Sequence, residues 1–349
     1  MKYVSVFFLF AVSAFSTQAK SWRVNNNSGV VADFSTIVAA NSSASVLPGD
    51  TLYIEPSATE YVTSSLTLTK RLIFIGPGYF LDPASTTSPG NAGLQASTLD
   101  AKIGFIYLGS AASGTKFLGV TENSSFYFTG ATNIRFEKVL FQGGVYFQSG
   151  TNDSISFRKC FFNAVGMYGT TSVVLTNFVF ENNLFYSYAY VTLPLLSGSG
   201  NIFRNNSIIN DAYGFSLSNT YVANNIFGTN TESTFSNCTI KNNIFQVAQT
   251  LPVTASGNLV SQAMTNVYVS STTGSLDSRM MLKSGSIASG FGLTIGSVTS
   301  PDAGAFGATD PYKLSGIPNV PSIYSLTVPT SIPSGSATMS ITLSTRNNN

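Results

Sequence analysis

The chain has 349 residues and includes 27 Phe and 16 Tyr, but only 9% of it is charged and its formal net charge is +2. An ordinary soluble protein is roughly 25% charged, so solubility here rests on Ser, Thr, Asn and Gly, and a chain this aromatic must bury a core. The charge is spread thinly with no basic run, which argues against nucleic acid or an anionic membrane as a partner.

The N-terminus reads as a signal peptide over residues 1–19. Met1-Lys2 is followed by an uncharged run to Phe15, and Thr17-Gln18-Ala19 supplies small residues for cleavage. The run is too short to span a bilayer and no later stretch is long enough, so the chain is expected to be exported, with no membrane span. Residues 20–50 are expected to form an N-terminal cap. There Asp33 or Ser35 caps a short helix carrying Phe34, Ile37 and Val38, ahead of Leu47-Pro-Gly-Asp-Thr-Leu-Tyr-Ile54. Leu66–Ile75 and Thr115–Val120 read as the first strands of a solenoid, and residues 79–100 as a loop rich in Ser, Thr and Gly.

The middle of the chain repeats itself. Ile134–Phe141, Ile155–Phe162, Phe178–Phe185, Asn201–Ile208, Thr220–Phe227, Cys238–Phe245 and a degraded Val253–Val260 align, at spacings of 21, 23, 23, 19, 18 and 15 residues. Apolar residues alternate over short runs bounded by turns, which is strand periodicity and fits one coil of parallel strands per repeat. The third position (Phe136, Phe157, Phe180, Phe203, Val222, Ile240) and the eighth (Phe141, Phe162, Phe185, Ile208, Phe227, Phe245) are expected to point inward. The sixth becomes Asn at Asn183, Asn206, Asn225, Asn243 and Asn258. That position is expected to make the sharp turn in a left-handed conformation, which Asn tolerates, and to stack its amides into a ladder. The fourth position alternates in sign through Glu137, Arg158, Glu181 and Arg204, then reads Ala223 and Lys241. Each acid should lie between two bases, an arrangement that disfavours slipped pairing. Cys160 and Cys238 fall four coils apart, about 19 Å, which is too far for a disulfide, so both read as buried core residues.

Asp33-Phe-Ser-Thr-Ile37 with Pro48-Gly-Asp-Thr-Leu-Tyr-Ile54 resembles the opening segment of pectin-lyase-like right-handed parallel β-helix proteins. Ser284–Gly290 and Pro301-Asp-Ala-Gly-Ala-Phe-Gly307 look like the closing segment of non-catalytic, secreted or bacterial cell-surface members of that superfamily. The resemblance covers roughly residues 30–310 and implies an all-β, right-handed parallel β-helix over 51–307 behind a short capping helix. It says little of function, because that fold hosts lyases, hydrolases, binding proteins and phage tailspikes. Beyond it, 308–349 reads as a Pro-rich tail with two extended segments, 319–328 and 338–343, lying along the wall or forming a small appendage.

Two functions compete. Catalysis of the family's kinds needs clustered Asp with a His, or several carboxylates around Ca²⁺ beside an Arg. This chain has no His and 15 scattered acids. The best pair, Glu137 and Glu181, should sit two coils apart, about 9–10 Å, near the upper limit for an inverting glycosidase. Arg158 between them would hold both ionised, which is wrong for a general acid. No metal or cofactor is expected. Binding is favoured by Tyr146, Tyr168, Tyr190 and Tyr213, which recur every 22, 22 and 23 residues, with Tyr186 and Tyr188 close by. Facing outward, they would form a stripe suited to stacking on sugar rings. Val145-Tyr-Phe147 and Ala189-Tyr-Val191 place Tyr outward, whereas Tyr213-Gly-Phe-Ser-Leu217 places it inward. The reading favoured is an exported, non-catalytic surface or scaffold protein that binds polysaccharide or another surface component. The alternative is a polysaccharide lyase or hydrolase.

Overall fold

The computed structural model describes residues 19–79, 99–170, 173–193, 196–210, 213–270, 272, 274–315 and 322–346. The signal-peptide segment up to residue 18 and residues 80–98 of the Ser/Thr/Gly loop lie outside the described residues. Short parallel strands wind into a β-helix with three walls. Sheet A has ten strands, from Ser21–Val24 to Thr239–Lys241; sheet B has eight, from Ser65–Thr67 to Thr234–Ser236; sheet C has seven, from Thr121–Glu122 to Ile244–Phe245. A three-stranded strip (Thr151–Asp153, Val174–Thr176, Leu196–Ser197) widens the corner between B and A.

The repeat positions do most of what their chemistry requires. The third-position column is fully buried and stacks ring on ring, with Phe136–Phe157 and Phe157–Phe180 centroids both 4.9 Å apart. The eighth-position column does the same, with Phe141–Phe162 at 4.6 Å and Phe162–Phe185 at 4.5 Å. Each buried Phe contributes about 1.5–3 kcal/mol of burial, and these two columns form the core together with the inward residues of sheet B such as Phe126, Phe128 and Phe147. Cys160 and Cys238 are buried and unbridged.

The Asn turn needs correction. The left-handed residue is the fifth position, not the sixth: Lys138, Lys159, Asn182, Asn205, Asn224 and Asn242 have φ between 48° and 56°. Gly119 and Gly257 hold the equivalent places in the flanking coils, with φ of 62° and 66°. The sixth position turns inward instead and builds the expected ladder. The side-chain Nδ2 of Asn183 donates to Asn206 Oδ1 (3.0 Å), Asn206 to Asn225 (3.0 Å), Asn225 to Asn243 (2.9 Å) and Asn243 to Asn258 (3.0 Å). The ladder ends where Asn gives way to Cys160, whose backbone N–H donates to Asn183 Oδ1 at 2.9 Å.

The cap also differs in detail. The helix Ile37–Ser42 is capped by Thr36, whose hydroxyl accepts from Ala39 N. Asp33 instead accepts from Arg23 N at 2.7 Å, and Phe34 pairs with Val24 as a bridge ahead of the helix. Asp50 of the Pro-Gly-Asp turn is buried and accepts from Trp22 Nε1 and Leu47 N, at 2.8 and 2.9 Å, which ties the first coil to the second.

Beyond the last coil the chain doubles back along sheet C. The outward residues of that sheet (Leu140, Phe161, Leu184, Ile226, Ile244) form a second apolar cluster with Val267, Tyr268, Met280, Ala303, Ala305 and Tyr312. The fifth-position side chains dock this return segment in order. Asn242 donates to Phe291 O (2.9 Å), Asn224 to Leu293 O (3.2 Å) and Asn182 to Ala305 O and Gly307 O (2.9 and 2.8 Å). Lys159 then pairs with Asp310 at 2.6 Å, and the hydroxyls of Tyr312 and Tyr79 meet at 2.8 Å. The two extended segments of the tail pair with each other as an antiparallel ribbon, Ser322–Thr327 with Thr342–Arg346.

Candidate functional site

The sequence-derived residues divide among the three walls. Glu137, Arg158 and Glu181 lie on the outer face of sheet A, in register as expected. Glu181 sits between Arg158 and Arg204 and pairs with both. Arg158 makes no ion pair with Glu137, however. Glu137 is held by Arg135, two residues away on its own strand, and by Lys159 at 3.3 Å. Burial works to raise the Glu137 pKa, but the charges of Arg135 and Lys159 outweigh it and hold the carboxyl below its ordinary range. Both carboxylates are thus spent on pairing within the sheet. Among the described residues no group of three or more His, Cys, Asp or Glu is placed to hold a metal ion, and no helix is long and apolar enough to cross a membrane.

Sheet B carries the tyrosines. Val145, Phe147, Met167, Ala189 and Val191 are buried, so strand alternation turns Tyr146, Tyr168 and Tyr190 outward. One outward column runs Tyr107, Tyr127, Tyr146 and Tyr168 over four successive strands, then continues as Thr192, Ser216 and Thr234. Tyr107 and Tyr127 are members that the Asn repeat does not point to, because their coils lack it. The signal that finds them is an aromatic between inward apolar residues, as in Ile106-Tyr-Leu108 and Phe126-Tyr-Phe128.

Equal sequence spacing is not equal register. Tyr190 pairs with Gly166 rather than Tyr168, because the coil between them is longer, and it lies two residues to one side of the column. Its ring packs over Gly166, where an added Cβ would come within 2.6 Å of the Tyr190 hydroxyl. A Cβ at Gly144 would likewise collide with the Tyr146 ring. Tyr213 is outward too, contrary to its local alternation, since the strand begins only at Ser216 and the pattern does not reach back to it. Tyr186 does not belong to this face. It lies on sheet C, against the return segment, with Arg279 donating to its hydroxyl at 3.1 Å.

Ring geometry separates two parts of the stripe. Tyr127 and Tyr146 stack at 4.7 Å and 24°, so those faces are occupied by each other. Tyr168 then stands at 79° to Tyr146 and breaks the stack. Beyond it, Tyr190 and Tyr213 are 5.1 Å apart and tilted, with Tyr188 6.4 Å from Tyr213. Tyr168, Tyr188 and Tyr213 are 40%, 57% and 50% exposed. The most exposed rings of this wall are therefore Tyr168, Tyr188 and Tyr213, with the half-buried Tyr190 beside Tyr213.

The corner between sheets C and B, several coils earlier, buries an acid. Glu122 occupies the eighth position, directly in register with Phe141, so its carboxyl enters the core and is fully buried. It accepts from Ser124 N (2.7 Å) and Gly143 N (3.0 Å), while Ser124 Oγ donates to Glu60 at 3.1 Å. Burial, with the Glu60 charge adding to it, pushes the Glu122 pKa up to about 8 despite those donors.

Residues 118–279 match the family model described as right handed beta helix region. No curated protein and no solved structure matches the chain.

Proposed function

We propose that this β-helix is an exported, non-catalytic binding protein that holds a polysaccharide on sheet B, at the cluster of Tyr168, Tyr188, Tyr190 and Tyr213. The observation that carries the reading is the break in the aromatic stack at Tyr168, where Tyr168, Tyr188 and Tyr213 are 40–57% exposed and Tyr190 stands tilted to Tyr213 on the wall. Sugar rings present C–H faces that pack on aromatic faces, and a solenoid wall fixes such rings with little ordering cost on binding. Thr192, Ser216 and Thr234, continuing the column, supply hydroxyls for hydrogen bonding. Export rests on the uncharged N-terminal run and its small-residue cleavage site. Placement at a cell surface or in an extracellular matrix is the setting in which such a wall would meet polysaccharide.

A glycan array probed with the full chain beside Tyr168→Ala and Tyr190→Ala tests this. Binding by the parent chain and its loss in both variants is expected. Equal binding by all three, or none by any, would remove the proposal.

A further inference from the structure

Resting on that reading, we infer that the ligand of sheet B is an uncharged polysaccharide lying along the solenoid axis, and not an acidic one. The charges of this molecule are sorted by wall. Sheet A carries Arg135, Glu137, Arg158, Glu181, Arg204 and Lys241 on its strands. The strands of sheet B (Ser65–Thr67, Phe105–Gly109, Ser125–Thr129, Gly144–Ser149, Gly166–Gly169, Tyr190–Leu193, Ser216–Ser218 and Thr234–Ser236) contain no Asp, Glu, Lys or Arg. The stretches 140–149, 161–169 and 184–193, which bring the chain through the corner into the tyrosine-bearing strands, are also uncharged.

A polyuronate carries one carboxylate per sugar. Laid on this face it would lose water around its charges with no cation on the strands of sheet B to replace it. The charged side chains at the corner between C and B make matters worse for it. Glu60 stands ahead of the tyrosine column, where it accepts from Ser124 Oγ, and Glu232, whose carboxylate accepts from Thr250 N, stands in the coil after Tyr213. Of the bases near this corner, Lys102 stands just ahead of Phe105–Gly109, three strands before that of Tyr168, and Arg279 donates to Gly274 O and to the Tyr186 hydroxyl on the sheet C side. A neutral glycan meets none of these costs. The direction follows from the cluster, whose rings come from three successive coils of sheet B, with the hydroxyls of Thr192 and Ser216 in register with Tyr168.

Calorimetric titration of the full chain with cellohexaose, mannohexaose, xylohexaose, hexagalacturonate and hexaguluronate separates the possibilities. At least one neutral hexasaccharide should bind, with a Kd that changes less than about two-fold between low and high salt. Tyr213→Ala should weaken it about ten-fold or more while Tyr213→Phe retains it, and the unfolding temperatures of both variants should confirm that they fold. Tyrosine-dependent binding of a hexauronate that falls with salt would overturn the inference while leaving the aromatic site standing. No binding of either class, or binding indifferent to Tyr213→Ala, would overturn both. So would tyrosine-dependent self-association in sedimentation velocity, since a second copy would then be what covers this face.

Discussion

Asn205 and Asn206 are adjacent in sequence and act on opposite sides of the wall. Asn205, left-handed at φ 50°, sends its amide outward to the carbonyls of Asp302 and Gly304 on the return segment. Asn206 sends its amide inward, where it accepts from Asn183 and donates to Asn225 Oδ1 and Phe180 O, both at 3.0 Å. One residue supplies backbone conformation and the other supplies buried hydrogen bonds, so the two should respond differently to mutation.

Asn206→Ala should cost at least about 3 kcal/mol, since it leaves several fully buried donors and acceptors without partners. Asn205→Gly should stay within about 0.5 kcal/mol, because glycine adopts the same φ and the bonds lost are long. Urea unfolding of both variants checks this, and equal effects would mean that the division of labour is wrong.

The return segment should loosen where its carbonyls lose their donor. Asn182→Gly keeps the left-handed turn but removes the bonds to Ala305 O and Gly307 O, so amide exchange over residues 303–307 should accelerate at least about ten-fold. Exchange at Phe157 and Phe180 in the core columns should change little. Unchanged exchange over 303–307 would show that apolar contact with sheet C alone holds the segment.

Stability should fall as pH rises because of Glu122. Its pKa is raised to about 8 in the folded chain against an ordinary 4.5. Below pH 4.5 the carboxyl is protonated in both states and imposes no cost. Between pH 4.5 and about 8 the unfolded chain ionises while the folded chain does not, so this contribution is progressively lost as pH climbs. Glu60→Gln removes a neighbouring charge that holds the pKa up, so the decline should still begin near pH 4.5 but end at a lower pH and be smaller in total. Unfolding temperatures from pH 4 to 9 for parent and variant read this directly, and identical profiles would contradict it.

The sheet A charges should serve register and not ligand binding. Glu181→Lys places three cations in a row and should destabilise by more than the roughly 1 kcal/mol that an exposed pair is worth. Adding Arg158→Glu and Arg204→Glu puts an acid on either side of the new base but sets the new acid at 158 beside Glu137, so it should recover only part of the loss. Glycan binding should be the same in all of these variants. A failure of the triple variant to recover would mean that the pairing order carries no register information.

Much of this was legible in the sequence, because a coil repeat exposes its own register. The Phe columns, the Asn ladder, the charge order and the unbridged cysteines all follow from aligning the repeats. What escaped has a physical reason in each case. Fifth and sixth positions are both Asn in four coils, so composition cannot say which is left-handed; the non-Asn members decide it, with Lys138, Lys159 and Gly257 sharing the turn and Val139 and Cys160 sharing the inward site. Regular tyrosine spacing suggested one column, but coil lengths vary and move Tyr190 out of line. Tyr186 and Tyr188 are neighbours in sequence, but the corner between them sends the two to different walls. The return segment lacks periodicity of its own, since its contacts are set by the wall it follows.

The most direct test of the account is a crystal structure of the chain with the tightest-binding hexasaccharide. Sugar rings should lie along sheet B against Tyr168, Tyr190 and Tyr213, their long axis parallel to the solenoid, with Thr192 and Ser216 within hydrogen-bonding distance. Sugar seated instead on sheet A beside Glu137 and Glu181 would contradict the account and turn attention back to those carboxylates.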